Sequence, residues 1–194
     1  VLQPHVQLEG KPTYIDSTSL ISFHNKVLTD FYKSTNYRTV WQSKEKREVI
    51  LDKLFKSDQE GLNPEDYNIG KLFDFEKKAT ILDSLDLAKY DILLTSSLQK
   101  YISHLTNGRL NPLKLYKNWD LKENEIDINA TVVQLLQSDS LAYKIEQLKP
   151  NHIVYKKLKK ALQLINTFPK DNFKPIKFTK TILANDTNPS VIDI

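Results

Sequence analysis

The chain has 194 residues, 40% of them hydrophobic and 27% charged, which is enough apolar side chain for one buried core with an irregular tail and tight for two. Its 28 Lys and Arg against 24 Asp and Glu leave a net charge of +4 spread along the sequence, so nucleic acid is not demanded. Cysteine is absent, which excludes a disulfide framework, a thiolate nucleophile and a cysteine zinc site, and no run of about 18 apolar residues offers a membrane-spanning helix.

Residues 1–15 hold two prolines and one glycine with no sustained period and read as an extended lead-in. The opening VLQPHVQLEG lacks a cleavable signal pattern, and a start at Val1 without methionine reads as a piece of something longer. Asp16 or Ser17 is positioned to cap a first helix with Leu20, Phe23, Val27 and Phe31 as its buried stripe, ending near Ser34 to Asn36. Tyr37, Val40 and Trp41 then form a short aromatic segment that folds back on the core.

Ser43 caps a second helix, with Val49, Ile50, Leu54 and Phe55 inward and Lys44, Lys46 and Arg47 outward, closing at Gly61. In LNPEDY, Asn63 is a cap, Pro64 suits the first helical position, and Glu65 and Asp66 favour the positive end of the helix dipole. Two carboxylates side by side at a helix start cannot converge across a cleft as glycosidic acid and base must, so this pair is structural. Residues 71–83 read as a short helix leading into a longer one.

The stretch from Ser84 to Tyr116 organises the chain. Leu87, Leu94, Leu98, Tyr101, Ile102 and Leu105 recur at helical spacing over about six turns, so this is a central helix. Asn107-Gly108 closes it and Asn111-Pro112 forbids simple continuation. Arg109 sits in that turn, within reach of the helix-end carbonyls or of a carboxylate such as Asp66 or Asp91, and reads as a structural clamp.

Leu113, Leu115, Tyr116 and Trp119 pin the following loop, which runs into the charged LKENEID. Asn129 caps a helix holding Val132, Val133, Leu135 and Leu136; Ser138 to Ser140 break it, and Leu141 to Leu148 form another before Pro150. Residues 151–166 make the last long helix, with Val154, Leu158, Ala161, Leu162 and Ile165 on one face and Lys156, Lys157, Lys159 and Lys160 on the other. The lysines lack the arginines and interleaved aromatics of nucleic-acid sites and read as a solvated face. From Thr167 onward the chain is proline-punctuated and extended.

The fold expected is therefore all-α, an irregular helical bundle around one long central helix with an extended C-terminal segment. Chemistry is sparse. His5, His24, His104 and His152 are scattered without metal-ligand spacing, and Gly10, Gly61, Gly70 and Gly108 are too isolated for a phosphate-cradling loop. No GxSxG elbow occurs.

Read in order, Trp41, GLNPEDY at 61–67, DILLT at 91–95, YISHLTNGRLNP at 101–112 and Trp119 form a pattern. It resembles the N-terminal scaffold domain of large bacterial L,D-transpeptidases of the YcbB/YkuD type. Pro150, His152, Tyr155, Leu158, Ala161 and Leu162 fit that family's closing P-x-H-x-x-Y-x-x-L-x-x-AL motif, and Glu60 stands where the family carries Asp before GL. The closing NDTNPSVIDI resembles the opening of a peptidoglycan-binding-like module. The resemblance implies a lead-in over 1–15, a helical scaffold domain over 16–181, and a linker with the start of a truncated module over 182–194.

It further implies a non-catalytic, periplasmic arm of an enzyme that cross-links peptidoglycan stems through 3-3 links. The family's nucleophile is a cysteine in an SHGC-type motif, so no catalytic residue is carried over, and no cofactor is expected. The partners implied are the catalytic and peptidoglycan-binding-like domains of the parent chain, with peptidoglycan or cell-wall synthases beyond them. The chain is expected to be monomeric and to bind no nucleic acid. The alternative is a free-standing helical module that binds an acidic partner through Lys156, Lys157, Lys159 and Lys160.

Overall fold

The computed structural model describes residues 12–17, 20, 23–111, 114, 117–118 and 125–169. The lead-in to residue 11, Pro112, the Leu113, Leu115, Tyr116 and Trp119 anchor, and the tail from residue 170 lie outside the described residues.

The described residues are all-α, as expected, with one isolated antiparallel bridge between Tyr14 and Arg38 and no sheet. Helix α1 (Lys26–Ser34) begins later than its sequence pattern suggests, because Asn25 Oδ1 accepts from Leu28 N at 3.2 Å and becomes the cap. His24 just before it has φ +47°, which breaks any helix entering from Ser17. Of the expected stripe Leu20 and Phe31 are buried, together with Leu28 and Tyr32, whereas Phe23 and Val27 face solvent. Helix α2 (Lys44–Phe55) is capped by Ser43 as expected, its Oγ accepting from Lys46 N.

Two assignments in α2, Arg47 as outward and Phe55 as inward, are corrected. Arg47 is buried, and Phe55 is 55% exposed, lying edge-to-face against Phe73 instead of in the core.

A 3-10 turn over Lys56–Glu60 ends at Gly61, whose φ of +74° is the left-handed conformation that glycine adopts without a Cβ penalty. A second 3-10 turn, Pro64–Tyr67, is capped by Asn63 and leads into α3 (Ile69–Glu76). Helix α4 (Ser84–Asn107) has 24 residues and is about 36 Å long at 1.5 Å per residue. Asp83 caps it and Gly108, φ +84°, closes it. It buries residues on nearly every side, from Ala88 and Tyr90 to Ile102 and Leu105, because α1, α2, α3, the Pro64–Tyr67 turn and α5 all pack on it.

Helix α5 (Ile128–Gln137) is capped by Asp127 and not by Asn129. Asn129 instead lies inside the first turn and bridges, its Nδ2 donating to Val27 O at 3.0 Å and its Oδ1 accepting from Gln99 Nε2 at 2.9 Å. Helices α6 (Leu141–Gln147) and α7 (Ile153–Ile165) finish the described chain.

Helix α7 departs most from expectation. Its apolar stripe is not buried: Leu158 is 65% exposed, with Val154 and Ile165 also open. Of that stripe only Leu162 docks, in line with Tyr155 and Lys159, onto the turn ending at Gly61.

Candidate functional site

The motif residues singled out by sequence fall into four junctions, each joining a loop or helix end to its neighbour. The deepest lies under Trp41. Asp91, on the central helix and 4% exposed, accepts at Oδ1 from Tyr32 Oη (2.6 Å) and at Oδ2 from the backbone N–H groups of Val40 and Trp41 (2.8 Å each). Trp41 Nε1 donates to Thr95 Oγ1 at 2.9 Å. Since the Tyr32 proton is given to Asp91, the 2.8 Å Thr95–Tyr32 contact has Thr95 as donor. Burial pushes the Asp91 carboxyl up to about 6 even though its three donors pull the other way.

The second junction is one the sequence reading missed. Arg47 forks onto Glu76, Nε to Oε2 at 2.9 Å and Nη2 to Oε1 at 3.1 Å, while its Nη1 donates to the carbonyls of Trp41 and Gln42 at 3.0 Å each. Tyr90 Oη also donates to Glu76. Burial alone would raise the Glu76 carboxyl, but these bonds hold it below its ordinary value. One guanidinium thus ties α2, α3 and the Trp41 segment together. Beside it opens a cleft of about 360 Å³ lined by Thr13, Thr39, Gln42, Thr80, Leu82 and Leu87 among others.

At the third junction the expected clamp is present. Arg109 Nε donates to Asp66 Oδ2 at 2.5 Å, and Lys100 Nζ donates to the Asp66 carbonyl. Arg109 is about half exposed, so this pair is superficial, and Asp91, the other candidate partner, belongs to Trp41. Tyr67 Oη meets His104 Nδ1 at 2.9 Å. Burial lowers the His104 pKa, which favours the neutral imidazole. Tyr67 also packs edge-to-face on Tyr101, with centroids 5.4 Å apart.

The fourth junction gathers around Glu60, the position that departs from the family pattern. Its buried carboxylate accepts from Lys149 (2.7 Å), Lys159 (2.6 Å) and Tyr155 Oη. Lys149 reaches Glu146 as well, at 2.6 Å, and Lys53 completes that pair. Despite some burial, the two lysines hold Glu146 down to about 2. Leu162 Cδ2 lies 4.0 Å from where a Cβ on Gly61 would be.

Trp41, Gly61, Asp66, Tyr67, Asp91, Arg109 and Tyr155 are therefore all built into junctions, Pro64 starts the second 3-10 turn and Gly108 ends α4, whereas Leu158 is not, and Pro112 and Trp119 lie outside the described residues. The four lysines do not form one polyanion face. Lys159 is turned inward onto Glu60, whereas Lys156, bonded to Asn151 Oδ1, stays exposed with Lys157 and Lys160. Nothing in the sequence flagged Arg47 as internal, because its neighbours Lys44 and Lys46 mark a solvated face and its partner is 29 residues on.

Chemically these clusters hold geometry: their donors and acceptors are spent on each other. Among the described residues no group of His, Asp and Glu is placed to hold a metal ion, and no helix is long and apolar enough to cross a membrane. A family model described as a scaffold domain matches residues 26–162, from the first residue of α1 to the α7 leucine that packs on Gly61. No curated protein and no solved structure matches the chain.

Proposed function

Because the chain belongs to the scaffold-domain family over residues 26–162, we propose that it is the non-catalytic scaffold region of a murein L,D-transpeptidase. In that role it supports the domain that carries the cysteine and takes part in 3-3 cross-linking of peptidoglycan in the periplasm. The observation that carries this reading is the coincidence of motif and junction. Each motif of the resemblance, the Trp41 segment, GLNPEDY, DILLT, NGR and the Tyr155 helix, supplies a residue to one of the four clusters.

Such clusters support a rigid platform and do no acyl transfer, since the carboxylates are saturated by donors and the chain has no thiol. The lysine-face alternative loses support because Lys159 is committed to Glu60. Reading the coding sequence that adjoins this chain tests the proposal. A following domain with an SHGC-type cysteine and a nearby histidine is expected, and a stop codon or an unrelated module there would refute it.

A further inference from the structure

Helix α7 carries an apolar strip on the outside of the domain. Ile153, Val154, Leu158, Leu164, Ile165 and, in the turn that follows, Phe168 are all between 51% and 65% exposed. At 100° per residue they lie on one side of the helix, about a third of a turn from the inward line of Tyr155, Lys159 and Leu162. The helix cannot roll to bury them, because Glu60 holds both Tyr155 and Lys159. Ala161 lies within the strip and leaves a notch between its larger neighbours.

Lys157 is set among these residues, bordered by Ile153, Val154 and Ala161 at helical spacings of four, three and four. It has no ion pair among the described residues, and the helix contains no acidic residue.

We propose that this strip seats a folded protein partner that presents an apolar ridge with a carboxylate opposite Lys157. Charge and position choose this occupant over two others. A second copy of the chain would bring a helix with four lysines and no acid against Lys157, which like charge opposes. An anionic membrane would take the apolar residues, but Lys157 would then snorkel to mobile headgroups and meet no fixed carboxylate that sets a register. Across a protein interface the same lysine gives register, with the apolar residues supplying the buried centre and Lys157 the charge that selects the partner. The inference is independent of the cell-wall reading, since it uses only the exposed strip and its charge.

The test titrates the 194-residue chain with a synthetic amphipathic helix of about three heptads, leucine at a and d and glutamate at e and g. A counter-probe carries lysine at e and g, and vesicles of phosphatidylglycerol stand for the membrane. The glutamate helix is expected to bind in the micromolar range, and Leu158→Asp or Ile165→Asp to weaken it by about ten-fold or more. Lys157→Glu is expected to shift the preference to the lysine helix. All three variants should keep the parent circular dichroism and melting temperature, because these side chains lie outside the core. Failure of the glutamate helix to bind at millimolar concentration overturns the proposal, as does binding that ignores Lys157 and Leu158. So does vesicle binding that replaces peptide binding, or a dimer in sedimentation that Leu158→Asp abolishes.

Discussion

Replacing Arg47 by Met keeps the length and apolar stem of the side chain and removes at least four hydrogen bonds at once. Glu76 is left with Tyr90 alone, and the carbonyls of Trp41 and Gln42 lose their shared donor. The Arg47 and Glu76 side chains are only 6% and 16% exposed, so water replaces little of what is lost. Breaking one side of such a buried pair destabilises by roughly 3 to 5 kcal/mol, and the lower end applies here because Glu76 keeps some solvent and one donor. For a domain of this size about 3 kcal/mol corresponds to a fall in melting temperature of roughly 10 °C.

Urea unfolding followed by far-ultraviolet circular dichroism measures the loss. A double variant, Arg47→Met with Glu76→Gln, should lose less than the sum of the two single changes, because the stranded charge is gone. An Arg47→Met loss below about 1 kcal/mol would refute the reasoning, since that is the value of an exposed pair.

Arg109→Ala should lose no more than about 1 kcal/mol by the same assay, because its pair with Asp66 is half exposed. Glu60→Gln should strip hydrogen-exchange protection from α7 while leaving that of α4 intact, because Lys149, Tyr155 and Lys159 share that one carboxylate. For Asp91, whose folded pKa of about 6 lies above the unfolded value near 3.9, the folded state binds the proton more tightly. Its contribution of up to roughly 3 kcal/mol is present at low pH and lost as pH rises through about 6, and Asp91→Asn should flatten stability between about pH 4 and about pH 6. Glu146 has the opposite sign: held down to about 2, it adds stability above its ordinary pKa that is lost as pH falls, and Glu146→Gln should make acid unfolding shallower.

Local signals were legible in the sequence and long-range partners were not. The central helix, the Ser43 and Asn63 caps and the closures at Gly61 and Gly108 are written within a few residues of where they act. The Arg109–Asp66 clamp could be anticipated because both residues sit at element ends. Arg47 could not, since what makes it internal is Glu76 on another helix and two carbonyls just upstream.

Periodicity in α7 showed that the helix is amphipathic but not which line the domain would use. That is decided by Glu60, some ninety residues earlier. The same residue, noted in the sequence only as a departure from a family pattern, proves to be the centre of a junction. Asp127 outcompeted Asn129 as a cap because Asn129 finds two better partners on α1 and α4.

The measurement that bears most directly on the proposed role is a muropeptide assay run in parallel on the 194-residue chain and on the longer, cysteine-bearing chain that the proposal expects its gene to encode. With tetrapeptide-stem muropeptides as substrate, the chain alone is expected to yield no 3-3 dimer and the longer chain to yield it. A cross-linked product from the chain alone would contradict the scaffold account, because no cysteine is present to form the acyl-enzyme.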